Sequence, residues 1–119
     1  MDNLSLGKMG ERIACSYLNN LGYKIIELNY RGRWEEIDII ALDKDTLVFV
    51  EVKTRMASDR LTPEDSMTTK KINQISRSAI HYKIKNPKLP ENLRIDYVGI
   101  VLKENLEVER IRLEKNISL

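Results

Sequence analysis

The chain has 119 residues, 42% of them hydrophobic, so it has the usual size of one domain and enough apolar residues for a buried core. Its 20 basic and 18 acidic side chains leave a net charge of +2, so overall charge does not indicate a nucleic-acid partner and any basic surface must be local. The single Cys15 excludes an internal disulfide, and no cluster of Cys and His has the spacing of zinc ligands.

The first predicted element is a helix from Leu6 to Leu21. Its apolar residues recur at steps of three and four, which is the spacing of one helix face, and Gly22 supplies a C-terminal stop. Two segments rich in strand-forming residues follow, Tyr23 to Tyr30 and Trp34 to Leu42, with a break at 31–33. We expect these two segments to be strands.

The third strand is predicted from Leu47 to Arg55. Its first half is apolar on both faces, which is typical of a strand in the middle of a covered sheet. A second helix is predicted to begin with Thr62 as N-cap and Pro63 at the first helical position, and to end at Asn86.

The last two predicted strands, 93–102 and 106–113, form a closing hairpin. The order is therefore helix, three strands, helix, two strands. It predicts an α/β architecture in which a mixed β-sheet lies between helices.

Charged residues replace apolar ones at one level of the second and third strands. Strand alternation predicts that one face of the sheet carries Glu36, Asp38, Glu51, Lys53 and Arg55. If the turn at 43–46 joins the two strands in register, Asp38 lies opposite Glu51 and Glu36 lies opposite Lys53.

Two carboxylates placed side by side repel each other unless a cation lies between them or one of them is protonated. A hard divalent ion such as Mg²⁺ or Mn²⁺ suits such a pair and leaves positions for water and phosphate. Lys53 would add a positive charge that orients water or offsets charge on phosphoryl oxygens. The alternative interpretation of Asp38, Glu51 and Lys53 is a cross-strand salt-bridge patch that only stabilises the sheet.

A further carboxylate is available on the first helix. Glu11 lies at the edge of the apolar stripe, where Gly7 and Gly10 allow close approach to the sheet. The alternative interpretation is an ordinary acidic residue near a helix N-terminus, where the helix dipole favours it.

Three segments together resemble a known family: Gly-Glu at 10–11, EIDIIA at 36–41 and FVEVKTR at 49–55. The pattern resembles the YraN-like uncharacterised bacterial family (family 0102), and the resemblance covers nearly the whole chain. That family is similar to restriction-endonuclease-like, or PD-(D/E)xK, nucleases, including Holliday-junction resolvases. One departure is Glu35, which stands where the family usually has Gly. If that Gly serves a β-bulge, the predicted strand register changes here; on a regular strand the Glu35 side chain would point away from the site.

The resemblance implies a restriction-endonuclease-like three-layer fold and a Mg²⁺- or Mn²⁺-dependent endonuclease that hydrolyses phosphodiester bonds in DNA, including branched or structured DNA. It assigns catalytic roles to Glu11, Asp38, Glu51 and Lys53, with the metal on Asp38, Glu51 and Glu11. Glu36 is an accessory candidate. The alternative is a non-catalytic nucleic-acid-binding or protein-interaction module with the same fold.

Basic residues around the acidic centre are candidates for phosphate contacts. The nucleic-acid-binding candidates are Arg33, Arg55, Lys70 and Lys71, of which Arg55 and Lys71 match the family. For each of them the alternative is a solvated surface side chain. The resolvase-like relatives act on two strands, which suggests a homodimer, but the sequence shows no dimer seam.

The N-terminus has no basic segment followed by an apolar run, and the chain has no stretch of about 20 apolar residues. We therefore expect a cytoplasmic protein with one domain over residues 1–119 and no membrane partner.

Overall fold

The computed structural model describes residues 1–117, and these form an α/β fold of three layers in which one five-stranded mixed sheet lies between two helices. The elements are α1 (Asn3–Asn20), β1 (Lys24–Arg31), β2 (Glu36–Asp43), β3 (Thr46–Met56), a 3-10 helix (Pro63–Ser66), α2 (Thr69–Lys85), β4 (Asn92–Leu102) and β5 (Val108–Glu114). The predicted order of helices and strands is confirmed. So is the predicted restriction-endonuclease-like, three-layer fold class.

The strands lie side by side in sequence order, β1-β2-β3-β4-β5. The β3–β4 pair is parallel, with α2 in the connection, and the other three pairs are antiparallel. The predicted hairpin register is confirmed from Leu42 opposite Leu47 to Ile39 opposite Val50. This register brings the next residue of each strand, Asp38 and Glu51, to the same level of the sheet.

The core has two apolar clusters, one on each face of the sheet. The first lies under α1 and includes Ala14, Leu18, Ile39, Val48, Val50 and Val98. The second lies under α2 and includes Ile37, Ile40, Phe49, Ile75, Ala79 and Tyr82. β3 contributes to both clusters, so it is the covered central strand that its sequence predicts.

α1 is delimited by residues suited to helix ends. The Asp2 side chain accepts a hydrogen bond from the Ser5 backbone N–H at 2.8 Å and so caps the first turn. After the helix, Gly22 has a φ of +96°, a backbone conformation that glycine adopts without strain. Gly10 packs against β3, where a Cβ atom would overlap Oγ1 of Thr54 and lie 2.9 Å from its Cβ.

The alternation of side chains along β2 is interrupted at Asp38. Ile39 packs in the cluster under α1, whereas Ile37 packs in the cluster under α2, although a regular strand would point both to one face. On β1 the neighbouring residue is Asn29, whose φ of 51° is in the left-handed region that Asn tolerates. The backbone irregularity therefore occurs on both strands at the level of Asp38.

A buried carboxylate ties together segments that are far apart in sequence. Asp96 is fully buried on β4 and accepts hydrogen bonds from the Tyr23 hydroxyl at 2.7 Å and from Arg94 Nε at 2.8 Å. It also accepts the Asn116 backbone N–H at 3.0 Å, and Arg94 reaches Asp43 at 2.7 Å. The paired charges satisfy each other, which makes their burial tolerable.

The prediction of a single helix that begins at Thr62 is wrong, because a 3-10 helix and α2 occupy this stretch. Thr62 and Asp65 do form a capping box, but they cap only the 3-10 helix, and the chain turns again at Met67. α2 begins afterwards with Thr68 as N-cap, whose hydroxyl oxygen accepts the Lys71 backbone N–H at 3.1 Å. Two capping signals in succession mark two helix starts.

No helix in residues 1–117 is long and apolar enough to cross a membrane.

The close contact between α1 and β3 gives a direct test of the fold. We expect Gly10→Ala to lower the free energy of unfolding by about 1–3 kcal/mol, because the added methyl group overlaps the Thr54 side chain. Gly7→Ala is the matched control, since no atom lies within 4 Å of a Cβ there and Ala gains up to about 1 kcal/mol of helix propensity. Urea unfolding measures both, and equal effects of the two substitutions would contradict this packing.

Candidate active site

Two carboxyl groups meet where the β2–β3 hairpin passes from apolar to charged residues. Asp38 lies one residue beyond the Ile39–Val50 pair of β2 and β3, and its carboxyl group lies close to that of Glu51. Oδ2 of Asp38 also accepts the backbone N–H of Val52 at 2.8 Å. Glu51 is only 7% exposed. The structure therefore brings together the two strand carboxylates that the sequence predicts as neighbours.

The pKa of Asp38 shows that a charged Asp38 is unfavourable at this buried position beside Glu51. Burial and the adjacent Glu51 carboxylate raise the pKa of Asp38 to about 8, and the Val52 N–H only partly offsets them. Asp38 is therefore protonated at neutral pH unless a cation comes close. Like charges so arranged are the usual sign of a group that binds a cation or shares a proton.

Lys71 of α2 provides a cation beside Glu51. Its Nζ lies 3.1 Å from Oε2 of Glu51 and 3.5 Å from Oε1 of Glu35. Burial lowers the pKa of Lys71, but the two carboxylates together raise it above its ordinary value. The predicted phosphate-binding residue is thus an ion-pair partner of a predicted metal ligand. Its role in nucleic-acid binding stays a prediction.

Glu11 approaches the same region from the opposite face of the sheet. Its Oε1 accepts a hydrogen bond from Asn29 Nδ2 at 2.9 Å, and Asn29 also reaches Glu36 at 3.4 Å. Burial raises the pKa of Glu11, and the carboxylates of Asp38 and Glu36 raise it further. Glu11 is therefore close enough to Asp38 to interact electrostatically, while its carboxylate is held by Asn29.

The predicted position of Glu36 is wrong. Its carboxylate shares Asn29 with Glu11 of α1 and so lies on the α1 side of the sheet, whereas Lys53 lies on the other side. The reason is the irregularity at Asp38, which breaks the alternation that would place Glu36 and Ile40 on one face.

Lys53 follows Glu51 on the face away from α1. The intervening Val52 packs in the cluster under α1 and Thr54 faces Gly10, so Glu51 and Lys53 share the other face, as predicted. Lys53 makes no hydrogen bond or ion pair within the part of the chain that the structure describes. Its ammonium group is therefore available to a ligand.

A divalent ion at this site would need several carboxylate oxygens close together. Among residues 1–117 no three His, Cys, Asp or Glu side chains converge as a metal site, so Glu11 is not part of a preformed triad. Asp38 and Glu51 alone supply two carboxylates, which is the number that Mg²⁺ commonly takes from a protein when phosphate and water complete its shell. Two of the three predicted ligands therefore lie together, although in the free protein Asp38 is protonated and Glu51 is paired with Lys71.

Sequence comparisons place the chain among known proteins. The model of "Uncharacterised protein family UPF0102" matches residues 10–100. The chain belongs to this family. The matched range contains all four residues predicted to be catalytic, Glu11, Asp38, Glu51 and Lys53.

Members of UPF0102 from several bacteria match along most of the chain. A UPF0102 protein of Syntrophus aciditrophicus is 43% identical over 112 residues, covering 92% of this chain and 87% of the relative. One of Alkaliphilus oremlandii is 44% identical over 105 residues, covering 86% and 89%. One of Geotalea uraniireducens is 42% identical over 113 residues, covering 93% and 89%.

The remaining predicted nucleic-acid contacts of this UPF0102 chain lie on different parts of the surface. Arg33 is exposed and stacks over Trp34, 5.5 Å from the ring centroid, and Lys70 is exposed at the start of α2. Arg55 lines an open pocket of about 510 Å³ with Arg60, and its buried Nε has no hydrogen-bond partner. A guanidinium group with an unpaired N–H at a pocket can bind an anion by donating hydrogen bonds to it.

Sequence patterns did not predict the residues that hold the loop before β2. The expectation that Glu35 points away from the site is wrong, because its carboxylate reaches Lys71. The loop is anchored by the buried Ser78 of α2, whose hydroxyl accepts the Glu35 N–H and donates to the Glu35 carbonyl, both at 3.0 Å. The only signal in the sequence is Gly32, where a Cβ would overlap the Ser78 hydroxyl.

The raised pKa of Asp38 predicts how stability depends on pH in metal-free buffer. Folding favours the protonated form, so this contribution is fully present below the ordinary carboxyl pKa of 3.8 and is lost as pH rises to about 8. Asp38→Asn keeps an acceptor for the Val52 N–H and carries no charge. We expect it to be more stable than wild type at pH 8, by on the order of 1 kcal/mol or more.

Chemical unfolding of both proteins between pH 4 and pH 8 measures this difference. It should grow with pH across the whole interval. A variant less stable than wild type at pH 8 would instead support the salt-bridge interpretation of the acidic pair.

Proposed function

We propose that this protein is a Mg²⁺- or Mn²⁺-dependent endonuclease that hydrolyses phosphodiester bonds in DNA. The observation that carries the proposal is the pair of touching carboxyl groups on Asp38 and Glu51, one buried and the other with its pKa raised to about 8. Such a pair opposes folding in the free protein, so a role in binding a cation accounts for it better than a role in stability.

Asp38 and Glu51 are the residues that would hold the ion, with Glu11 as a third candidate. A divalent ion bound there supplies Lewis-acid stabilisation of a phosphoryl oxygen and acidifies a water molecule. The irregular backbone at Asp38 and its hydrogen bond from Val52 fix the carboxyl group toward Glu51 before any ligand arrives. Preorganisation of this kind is what a hydrolytic site requires.

Lys53 supplies the free cation of the site. Its position on the same face of β3 as Glu51 lets the ammonium group hold a water molecule or stabilise negative charge on the phosphoryl group. Lys71 has a different part. It neutralises Glu51 in the free protein, and its ammonium group, one-third exposed, would turn to a phosphate once another cation neutralises Glu51.

We propose that Arg33, Arg55 and Lys70, which lie on different parts of the surface, also contact the phosphate backbone. Contacts of this type set affinity and orientation without selecting a sequence. A protein that acts on both strands of branched or structured DNA would place two such centres in a homodimer. Analytical ultracentrifugation with and without DNA measures that state.

The second candidate function is a nucleic-acid-binding or protein-interaction module without catalysis. One observation favours it: Glu11 is held by Asn29, and Glu51 is already paired with Lys71, so the free protein has no complete set of metal ligands within residues 1–117. Metal binding and cleavage, measured separately, distinguish the two functions.

We expect one Mn²⁺ ion to bind per chain, and the Asp38→Asn, Glu51→Gln double variant to lose that binding. Isothermal titration calorimetry measures both proteins. Asp45→Asn, Glu91→Gln is the matched control, because it removes the same two charges at exposed positions away from the site. Undiminished Mn²⁺ affinity in the folded Asp38, Glu51 variant would remove the proposed metal site.

We expect Lys53→Ala to slow DNA cleavage by about 10²–10³-fold, because it removes a charge that acts in the transition state. Binding should change by less than about threefold, since phosphate contacts elsewhere dominate affinity. Lys71→Ala should weaken binding and lower the salt dependence by roughly one phosphate contact.

The assay offers duplex, single-stranded, flap and four-way-junction DNA with Mg²⁺ or Mn²⁺. Lys24→Ala, at an exposed position on β1, is the matched control for loss of one lysine. Wild-type protein that binds these substrates and cuts none of them supports the non-catalytic module. Wild-type protein that neither binds nor cuts contradicts the nucleic-acid assignment itself.

A further inference from the structure

A second charged cluster, centred on Glu64, lies beside the candidate active site. Oε2 of Glu64 accepts a hydrogen bond from the Tyr97 hydroxyl at 3.1 Å, and Oε1 lies 3.3 Å from Arg110 NH2 and 3.6 Å from Arg112 NH1. Three donors from β4 and β5 therefore surround one carboxylate. A tyrosine hydroxyl with two guanidinium groups is also the chemistry that recognises phosphate.

Because Gly99 has no side chain, it leaves room for the Glu64 carboxylate. A Cβ atom there would lie 2.7 Å from the Tyr97 hydroxyl oxygen and 2.8 Å from Oε2 of Glu64. The same glycine pairs with Lys53 on one side and Arg112 on the other. Lys53 and Arg112 are thus two strand spacings apart, about 10 Å. That distance is the rise of roughly three nucleotides along one strand of a duplex.

Glu64 is joined to the sheet by the hydrogen bonds of its side chain, and the adjacent Pro63 is buried. It belongs to the four-residue 3-10 helix in the connection between β3 and α2. The other hydrogen bonds of residues 60–68 join near neighbours along the chain. Arg110 and Arg112 are 47% and 49% exposed, so solvent screens these ion pairs and each stabilises the protein little. A polyanion can therefore replace Glu64 without opposing a strong interaction.

We propose that Tyr97, Arg110 and Arg112 form a phosphate-binding site for the nucleic-acid backbone, in which the Glu64 carboxylate takes the place of phosphate in the free protein. The proposal rests on the nucleic-acid partner proposed above, and it adds a second contact point on the β5 side of Lys53.

Substitution of Glu64 and of the two arginines tests the site in opposite directions. Glu64→Gln keeps an acceptor for Tyr97 and removes the carboxylate that both arginines share, while Glu114 stays paired with Arg112. We expect this variant to bind a labelled DNA duplex about threefold more tightly. Arg110→Ala, Arg112→Ala should weaken binding roughly tenfold and lower the slope of log affinity against log salt by about two. Fluorescence anisotropy over a range of salt concentrations measures both, and circular dichroism checks that the variants are folded.

The matched control is Lys85→Ala, Lys88→Ala, which removes two charges at the far end of α2 and should change affinity by less than about twofold. An arginine variant that behaves like this control, or Glu64→Gln that binds no more tightly than wild type, overturns the phosphate site and leaves the nuclease proposal standing.

A second measurement distinguishes failure of the proposed nucleic-acid function from failure of the phosphate-binding site. In Glu64→Gln, inorganic phosphate should shift the NMR signals of the Arg110 and Arg112 guanidinium groups. If wild type binds no DNA while phosphate produces these shifts, the proposed nucleic-acid function fails and a small phosphate compound is the ligand. If neither DNA nor phosphate has an effect, the anion site itself is wrong.

Discussion

The burial of β3 on both faces determines how the rest of the molecule is arranged. Leu47, Val48, Phe49 and Val50 are fully buried, because α1 covers one face of the sheet and α2 the other. The next residue, Glu51, is still nearly buried, although it is charged. An acidic group at that depth needs partners, and Asp38, Lys71 and the loop that carries Glu35 are positioned around it.

The candidate site would therefore have two charge states, one in the free protein and one with a divalent ion bound. In the free protein, the raised pKa of Asp38 keeps a proton on its carboxyl group, and the ammonium group of Lys71 pairs with Glu51. With a divalent ion present, the proton would leave and Lys71 would be released.

The elements and the hairpin register were predictable from the sequence, because apolar periodicity and turn residues decide both. Asp38, Glu51 and Lys53 were placed correctly on this basis. Glu36 was not, because the alternation rule assumes a regular strand and the alternation along β2 is interrupted at Asp38. The salt bridge from Lys71 to Glu51 was also not predictable, because it depends on where α2 begins, and two successive capping signals obscured that position.

The parallel pairing of β3 with β4 also constrains the order in which the protein folds. β1, β2 and β3 form a meander of neighbouring strands, whereas Thr46 of β3 pairs with Asn92, 46 residues further along the chain. Closing that distance is slow compared with forming the hairpins. Until β4 docks, the most apolar strand of the molecule has one edge without hydrogen-bond partners, and that edge is where a half-folded chain is most prone to associate with another.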